Sequence, residues 1–294
     1  MPRTPDADLR AATAATRQGH LDEAAPLAWD ALARFEARGD RDGALRATNL
    51  LGAIAFERGA VTEAAARFAR ALGLARELGD ALMEARASNN LASLQVLGGD
   101  PAGALPLYRA ALLAYRRLGD RRGAAEALHN IALAHRRLGR WADADEAATE
   151  AVRSAEVAGE PALVALALTG RAETDLERGE AALARSRADR ALALARTGGD
   201  EIGAGEALRV RALARLAEGA AEAAAEDAAA ARAVAGAHGS ALLDAEAAAV
   251  LARAFRALGR RAEAEAARSE AHARLVELGA VGLLREFEAA WAAG

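Results

Sequence analysis

Cysteine is absent from this chain. That removes disulfides, thiolate nucleophiles and most structural zinc sites, and makes the protein indifferent to redox compartment. Aromatic residues make up only 3% of the 294 positions, too few large side chains for a core of ordinary thickness. β-Branched residues are scarce, which argues against a sheet-rich fold. Lysine is missing as well: the 38 basic residues are all arginine, set against 42 acidic ones for a net charge of −4. Such balance argues against a general binder of nucleic acid or acidic membranes, and the arginine bias reads as codon usage more than function. No run of about 18 apolar residues occurs, and no basic segment with an apolar core opens the chain. A cytoplasmic location is therefore expected.

What is present is alanine, nearly a third of the chain, with leucine, arginine and glutamate behind it. All are strong helix formers. Glycine is placed with more discipline. Fourteen glycines, from Gly19 and Gly39 to Gly259 and Gly279, stand twenty residues apart. Between them leucine and alanine recur at spacings of three and four, so each glycine suits the left-handed C′ position that closes a helix of roughly four turns. Alternate glycines differ. Gly39, Gly79, Gly119 and Gly199 are each followed by aspartate, a good N-cap, while Pro101 and Pro161 sit at helix starts. The true period is forty. Seven helical hairpins are expected, near residues 4–40, 41–80, 81–120, 121–160, 161–200, 201–240 and 241–280, within a single 1–294 domain.

Small residues keep the same period. Ala47, Ala87, Ala127, Ala167, Ala207 and Ala247 recur in the first helix, as do Gly52, Ala92, Ala132, Ala172, Ala212 and Ala252. The second helix repeats alanine from Ala24 to Ala264 and from Ala31 to Ala271. Close crossings at these points need a methyl group or less, and a larger group would cost about 1–3 kcal/mol. Leu51, Leu91, Leu112, Ile131 and Leu251 are the expected filling between hairpins.

This pattern resembles the tetratricopeptide repeat in an elongated forty-residue bacterial form. The second repeat carries it as LLGAIAFERGAVTEAAARFARAL, with Leu51, Gly52, Gly59, Ala64, Phe68 and Ala71 on the family positions. The third follows as NNLASLQVLGGDPAGALPLYRAAL and the fourth as HNIALAHRRLGRWADADEAATEAV. The resemblance implies an all-α, right-handed α-solenoid, with first helices lining a concave groove and second helices facing outward. Gly282 to Ala293, with Leu283, Leu284, Phe287 and Trp291, reads as a capping helix over the open end. Arg171 and Arg211 replace the leucines of earlier repeats, and the second helix of the sixth repeat has almost no large apolar group, so a weakened joint is expected near 200–240.

Clusters that look catalytic are explained by the repeat. Asp143, Asp145 and Glu146 fall in the first turns of a helix, where acids oppose its positive end, and are expected to be a solvated face. His129 and His135 are six apart and on different helix faces; His135 is expected to be a satisfied interior group, and His20, His238 and His272 lack partners at ligand spacing. No HExxH, GxSxG or GxxxxGK element occurs, so the reading is of a protein without catalysis, cofactor or metal. The groove is the better place for function. Arg46 and Asn49, then Arg86, Asn89, Asn90 and Ser93, then Glu126, His129, Asn130, Arg136 and Arg137 are expected on it. Asparagine offers donor and acceptor to a peptide backbone, and the resemblance assigns Asn90 and Asn130 that grip; bonding between helices is the competing reading. The arginines could pair with a partner's carboxylates or with acids of the groove itself. Net charge is about +2 over residues 101–150 and −4 over 201–250, without aromatic interleaving, so nucleic acid is an unlikely partner. The expected function is recognition of a protein or extended peptide, with a ligand-responsive regulatory module and self-assembly as alternatives.

Overall fold

Every helix-ending glycine adopts the conformation its spacing implies. All fourteen have φ between 60° and 90°, a region closed to most side chains. Around all of them but Gly159 the backbone repeats one hydrogen bond: the N–H just past the glycine donates to a carbonyl five residues back, as in Asp80 to Ala75 and Ala60 to Ala55. Helix starts are set as regularly, with Asp40, Asp120 and Asp200 accepting from the N–H three residues on.

The computed structural model describes residues 3–293. Three hairpins come first: α1 (Pro5–Arg17) with α2 (Leu21–Ala37), α3 (Arg41–Glu57) with α4 (Val61–Leu78), and α5 (Ala81–Leu97) with α6 (Pro101–Leu118). Next are α7 (Arg121–Arg137) with α8 (Trp141–Ala158), and α9 (Pro161–Glu177) with α10 (Ala181–Gly198). Last are α11 (Glu201–Ala217) with α12 (Ala221–His238), α13 (Ala241–Ala257) with α14 (Arg261–Glu277), and the lone α15 (Val281–Ala293). The result is an all-α solenoid of paired hairpins. The alanines of the period are buried at the crossings. At Gly52 even a methyl is too much, since an added Cβ would stand 2.6 Å from the Phe68 ring.

The stack does not stay open. Its turns bring early repeats against late ones. The ring of His20 stacks on that of His238 with centroids 5.6 Å apart, and His238 Nδ1 lies 3.2 Å from the Gly19 carbonyl. Ser240 Oγ donates to Glu57 (3.4 Å), and Leu278 fills the space above Gly59. One apolar cluster joins Phe56, Val61 and Leu97 of the second and third repeats to Leu275, Leu278 and Phe287 at the other end. The pairing of His20 with His238 was not expected from their spacing. Helix α15 does cap α14, and it also runs inward to meet α5.

Two expectations about polar groups are corrected. Asp145 is no mere solvated helix start: it binds Arg171 (2.6 Å) and Arg178 (2.8 Å) of the next repeat. His135 is buried but poorly satisfied, since Nε2 has only a long contact with Arg109 (3.4 Å) and Nδ1, 3.5 Å from Asp143, makes no hydrogen bond.

Residues 200–240, where a weakened joint is expected, are held by packing of a different kind. Alanine faces of α11, α12 and α13 close directly on one another, and ion pairs take the place of leucine. Arg211 donates twice to buried Asp227 (2.8 and 2.6 Å) and once to Asp189 (2.9 Å); Arg215 adds a second cation to Asp227 at 2.8 Å. Removing one partner of a buried pair costs about 3 kcal/mol, on the order of a hundredfold in local opening. Arg211→Ala is therefore expected to lower amide protection by roughly that factor across α11–α13 while leaving α3–α6 unchanged, which hydrogen exchange resolves helix by helix.

Candidate ligand chamber

Closure turns the groove into a chamber. The first helices of the second to seventh repeats, α3 to α13, contribute to its wall, and so does the C-terminal end of α1. The main cavity measures about 720 Å³, within the roughly 300–1,000 Å³ of typical ligand sites. A second, of about 580 Å³, lies against α15. Arg136, Arg137, Glu173, Arg209, Glu246 and Leu283 border both. Apolar wall comes from Leu97, Leu133, Leu163, Leu166, Ile202 and Leu242. Among these Leu166 is 37% exposed, with its side chain open to the cavity.

At the centre is a chain of charges. Arg136 Nη1 donates to one oxygen of Glu173 (2.6 Å) and Arg209 Nη2 to the other (2.7 Å). Arg209 Nε then donates to Glu206 (2.9 Å), with Glu246 at 3.8 Å. Burial alone would raise the Glu173 carboxyl, but the two arginines outweigh it and hold the group well below the usual carboxylate range. Glu206 has only a share of Arg209, and burial, reinforced by Glu246, pushes it up to about 7. Glu57 goes to about 7 as well: burial dominates, the Ser240 hydrogen bond opposes it, and Asp200 and Glu246 add to it. The chamber thus holds carboxyl groups poised near neutrality beside arginines that are already engaged.

Of the expected groove residues, the structure places Ser93, His129, Asn130, Arg136 and Arg137 on the chamber wall. Arg46, Asn49, Arg86, Asn89, Asn90 and Glu126 lie outside it. Arg46 reaches Asp6 (3.3 Å), Arg86 binds the helix cap Asp120 (3.0 Å), and Arg122 holds Glu126 (2.9 Å). The asparagines form a ladder between first helices: Asn90 donates to Asn49, and Asn130 to Asn89, both at 3.4 Å. The ladder stops at Gly170, where a Cβ would come within 2.5 Å of His129 Nδ1. Burial in that slot drives His129 down to about 4, with Glu173 opposing, so the ring is neutral at ordinary pH. The basic run at Arg116, Arg117, Arg121 and Arg122 is half neutralised, because Arg116 pairs with Glu150 and Arg122 with Glu160.

Sequence reasoning missed Glu57, Glu173, Glu206, Arg209 and Glu246. The signal was the forty-residue register itself: Arg209 stands eighty residues after His129, Glu206 eighty after Glu126, and Glu173 eighty after Ser93. Among the described residues, no group of three or more histidines and acids is placed to hold a metal, and no helix is long and apolar enough to cross a membrane.

A family model for the tetratricopeptide repeat matches residues 43–112 and 83–156, the segment that carries the glycine, alanine and aromatic positions described above. Residues 43–156 are thus tetratricopeptide repeats, and the same helical-hairpin architecture continues through the other described repeats. The repeat architecture has counterparts among solved structures. A Rap protein complexed with Competence and Sporulation Factor matches at TM-score 0.64 and 14% identity, over 98% of both chains. NprR in complex with its cognate peptide NprX matches at TM-score 0.67 and 14% identity, over 90% of this chain and 76% of NprR. A STAND protein with a tetratricopeptide repeat sensor from Pyrococcus horikoshii gives 0.53 at 15% identity, over 96% of this chain but 43% of the other. At these identities the likeness is one of fold. No curated protein matches the sequence.

The raised carboxyl of Glu57 makes a signed prediction. The folded chain keeps a proton there that the unfolded chain releases, so stability is lost as pH rises from the ordinary value of 4.5 to about 7. Glu57→Gln removes that dependence. Its thermal midpoint should exceed the wild type's above pH 7, and the gap should close toward pH 5; an equal gap at both ends would contradict the burial of this acid.

Proposed function

We propose that this repeat protein recognises a peptide or an extended segment of another protein inside the closed chamber, without a chemical step. The observation that carries the reading is the wall itself, where leucines alternate with polar groups held in fixed positions by one another. Such a site is largely formed before the ligand arrives, which limits the ordering cost of binding. Ser93, His129, Asn130, Arg136 and Arg137 are the contacts retained from the expected set, and Glu57, Leu166, Glu206 and Arg209 join them. Asn49, Asn89 and Asn90 stiffen the stack in this reading, as do Arg46, Arg86 and Glu126 through their own pairs.

The engaged state of the arginines changes the expected partner. In the main cavity Arg122, Arg136 and Arg209 already have carboxylate partners, while a ligand amine or guanidinium meets Glu57 and Glu206, whose ionised forms gain from a new cation. A peptide with apolar residues and one basic group fits the main cavity best. Rap and NprR, as named above, were solved with a signalling factor and a cognate peptide respectively, which agrees with peptide recognition on this fold. The contacts that close the ring also favour a second, narrower reading: a ligand-responsive module in the cytoplasm, whose residues 1–294 act as one unit and pass binding on to another protein.

Selection from a random peptide display library tests the site. Enriched peptides should lose at least tenfold in affinity with Leu166→Arg, which places a charge on the chamber wall, and lose nothing with Leu113→Arg on exposed α6. Loss with Leu113→Arg and not with Leu166→Arg would move the site to the outer face.

A further inference from the structure

Among the described residues, helix α15 alone has no hairpin partner, and its seat has the features of a binding site. Phe287 is buried, Leu283, Leu284 and Trp291 are half-buried, and all four belong to the apolar cluster that spans both ends of the stack. Arg256 lies over the Trp291 ring at 4.3 Å and donates to its carbonyl (2.6 Å). Gly282 enters so close to the turn after α5 that an added Cβ would stand 3.1 Å from the Val96 carbonyl.

The polar part of the seat is incomplete. Glu286 Oε1 lies 2.9 Å from Arg137 Nη1, yet neither Nη1 nor Nε of that buried guanidinium has an aligned hydrogen bond. The two observations agree if the carboxylate sits beside the N–H directions and not along them, giving attraction without a directed bond. The Glu286 side chain keeps about half of its surface exposed (52%), so solvent screens this pairing. Arg253 faces the same cavity with Arg256 as a like-charged neighbour. A carboxylate that met Arg137 end-on could make the bidentate contact that Glu286 does not.

We propose that the seat of α15 is a helix-binding site, filled in cis by the chain's own C-terminal helix and open to an amphipathic helix of the same chemistry, with apolar anchors at helical spacing and one carboxylate for Arg137. The inference rests on the peptide-binding reading above and adds a second ligand position to it. At thirteen residues, α15 is too short to be stable as a helix alone, so undocking also melts it. Leu283 and Arg137 border both cavities; departure of α15 therefore joins the two spaces, and an occupant of this seat controls the size of the main chamber.

The probe is a fluorescein-labelled peptide of residues 281–293, VGLLREFEAAWAA, added to the full-length chain. Phe287→Asp in the chain empties the seat. The labelled peptide should bind that variant at least tenfold more tightly than wild type, and adding Arg137→Met, or Glu286→Gln in the peptide, should reduce the gain. Equal binding to wild type and variant, or indifference to Arg137→Met, overturns the proposal. Should Phe287→Asp fail to fold, hydrogen exchange on wild type decides: an excess of unlabelled peptide should speed exchange in α15 and leave α13 and α14 unchanged, and an unmoved α15 counts against it. Display-selected peptides that still depend on Leu166 while the 281–293 peptide fails would sink this inference and leave the chamber reading intact.

Discussion

Fourteen helices of nearly one length must each reverse direction, and every reversal passes through a glycine with φ between 60° and 90°. A side chain at such a position strains the backbone, so the glycines fix where each helix stops. Because they stand twenty residues apart, they also fix how each hairpin meets the next. The alanine crossings then bring the helices together without large side chains to splay them. The small rotation between neighbours adds up along the stack, and the early repeats come to lie against the late ones at His20–His238, Glu57–Ser240 and Gly59–Leu278. The chamber is a consequence of that accumulation.

Enclosure determines the chemistry of the wall. On an open groove, charged pairs would be screened and worth little. Inside the ring the chain matches ions internally, as where Arg136 and Arg209 share Glu173; between α11 and α12, away from the cavities, Arg211 and Arg215 share buried Asp227 in the same way. Acids with only part of a cation, Glu57 and Glu206, move toward neutrality instead. The surplus in the main cavity is thus carboxyl, while the unmet donors are the Arg137 nitrogens under α15. One end of the space suits a cation and the other a carboxylate, a polarity that gives an extended ligand a direction.

Much of the fold was legible in the sequence because its causes are local and repeated: glycine stops, aspartate caps, and alanines whose burial follows the period almost without exception. Position in the wall was only partly legible from the register: Ser93 and His129 were found, and Glu173 and Arg209 stand eighty residues after them in repeats whose residue types look unrelated, yet Asn49 and Asn89 share the register of His129 and lie outside the chamber. The cross-repeat roles of Asp145 and Arg211 required knowing which helix faces which. Closure was not legible. It joins residues such as His20 and His238 from opposite ends of the chain, and depends on an angle between hairpins that no local pattern states. The path of α15 into the ring was hidden for the same reason, although its apolar face was evident from Leu283, Phe287 and Trp291.

Ring closure is the claim on which the chamber, its displaced carboxyl groups and the seat of α15 all depend, and the absence of cysteine makes it simple to measure. Nitroxide labels at Gln18→Cys and Ala237→Cys, both exposed and within two residues of the stacked histidines, report the distance across the seam by dipolar spectroscopy. A single short distance is predicted in the unliganded chain. A long and broad distribution, as an open solenoid would give, would contradict the account.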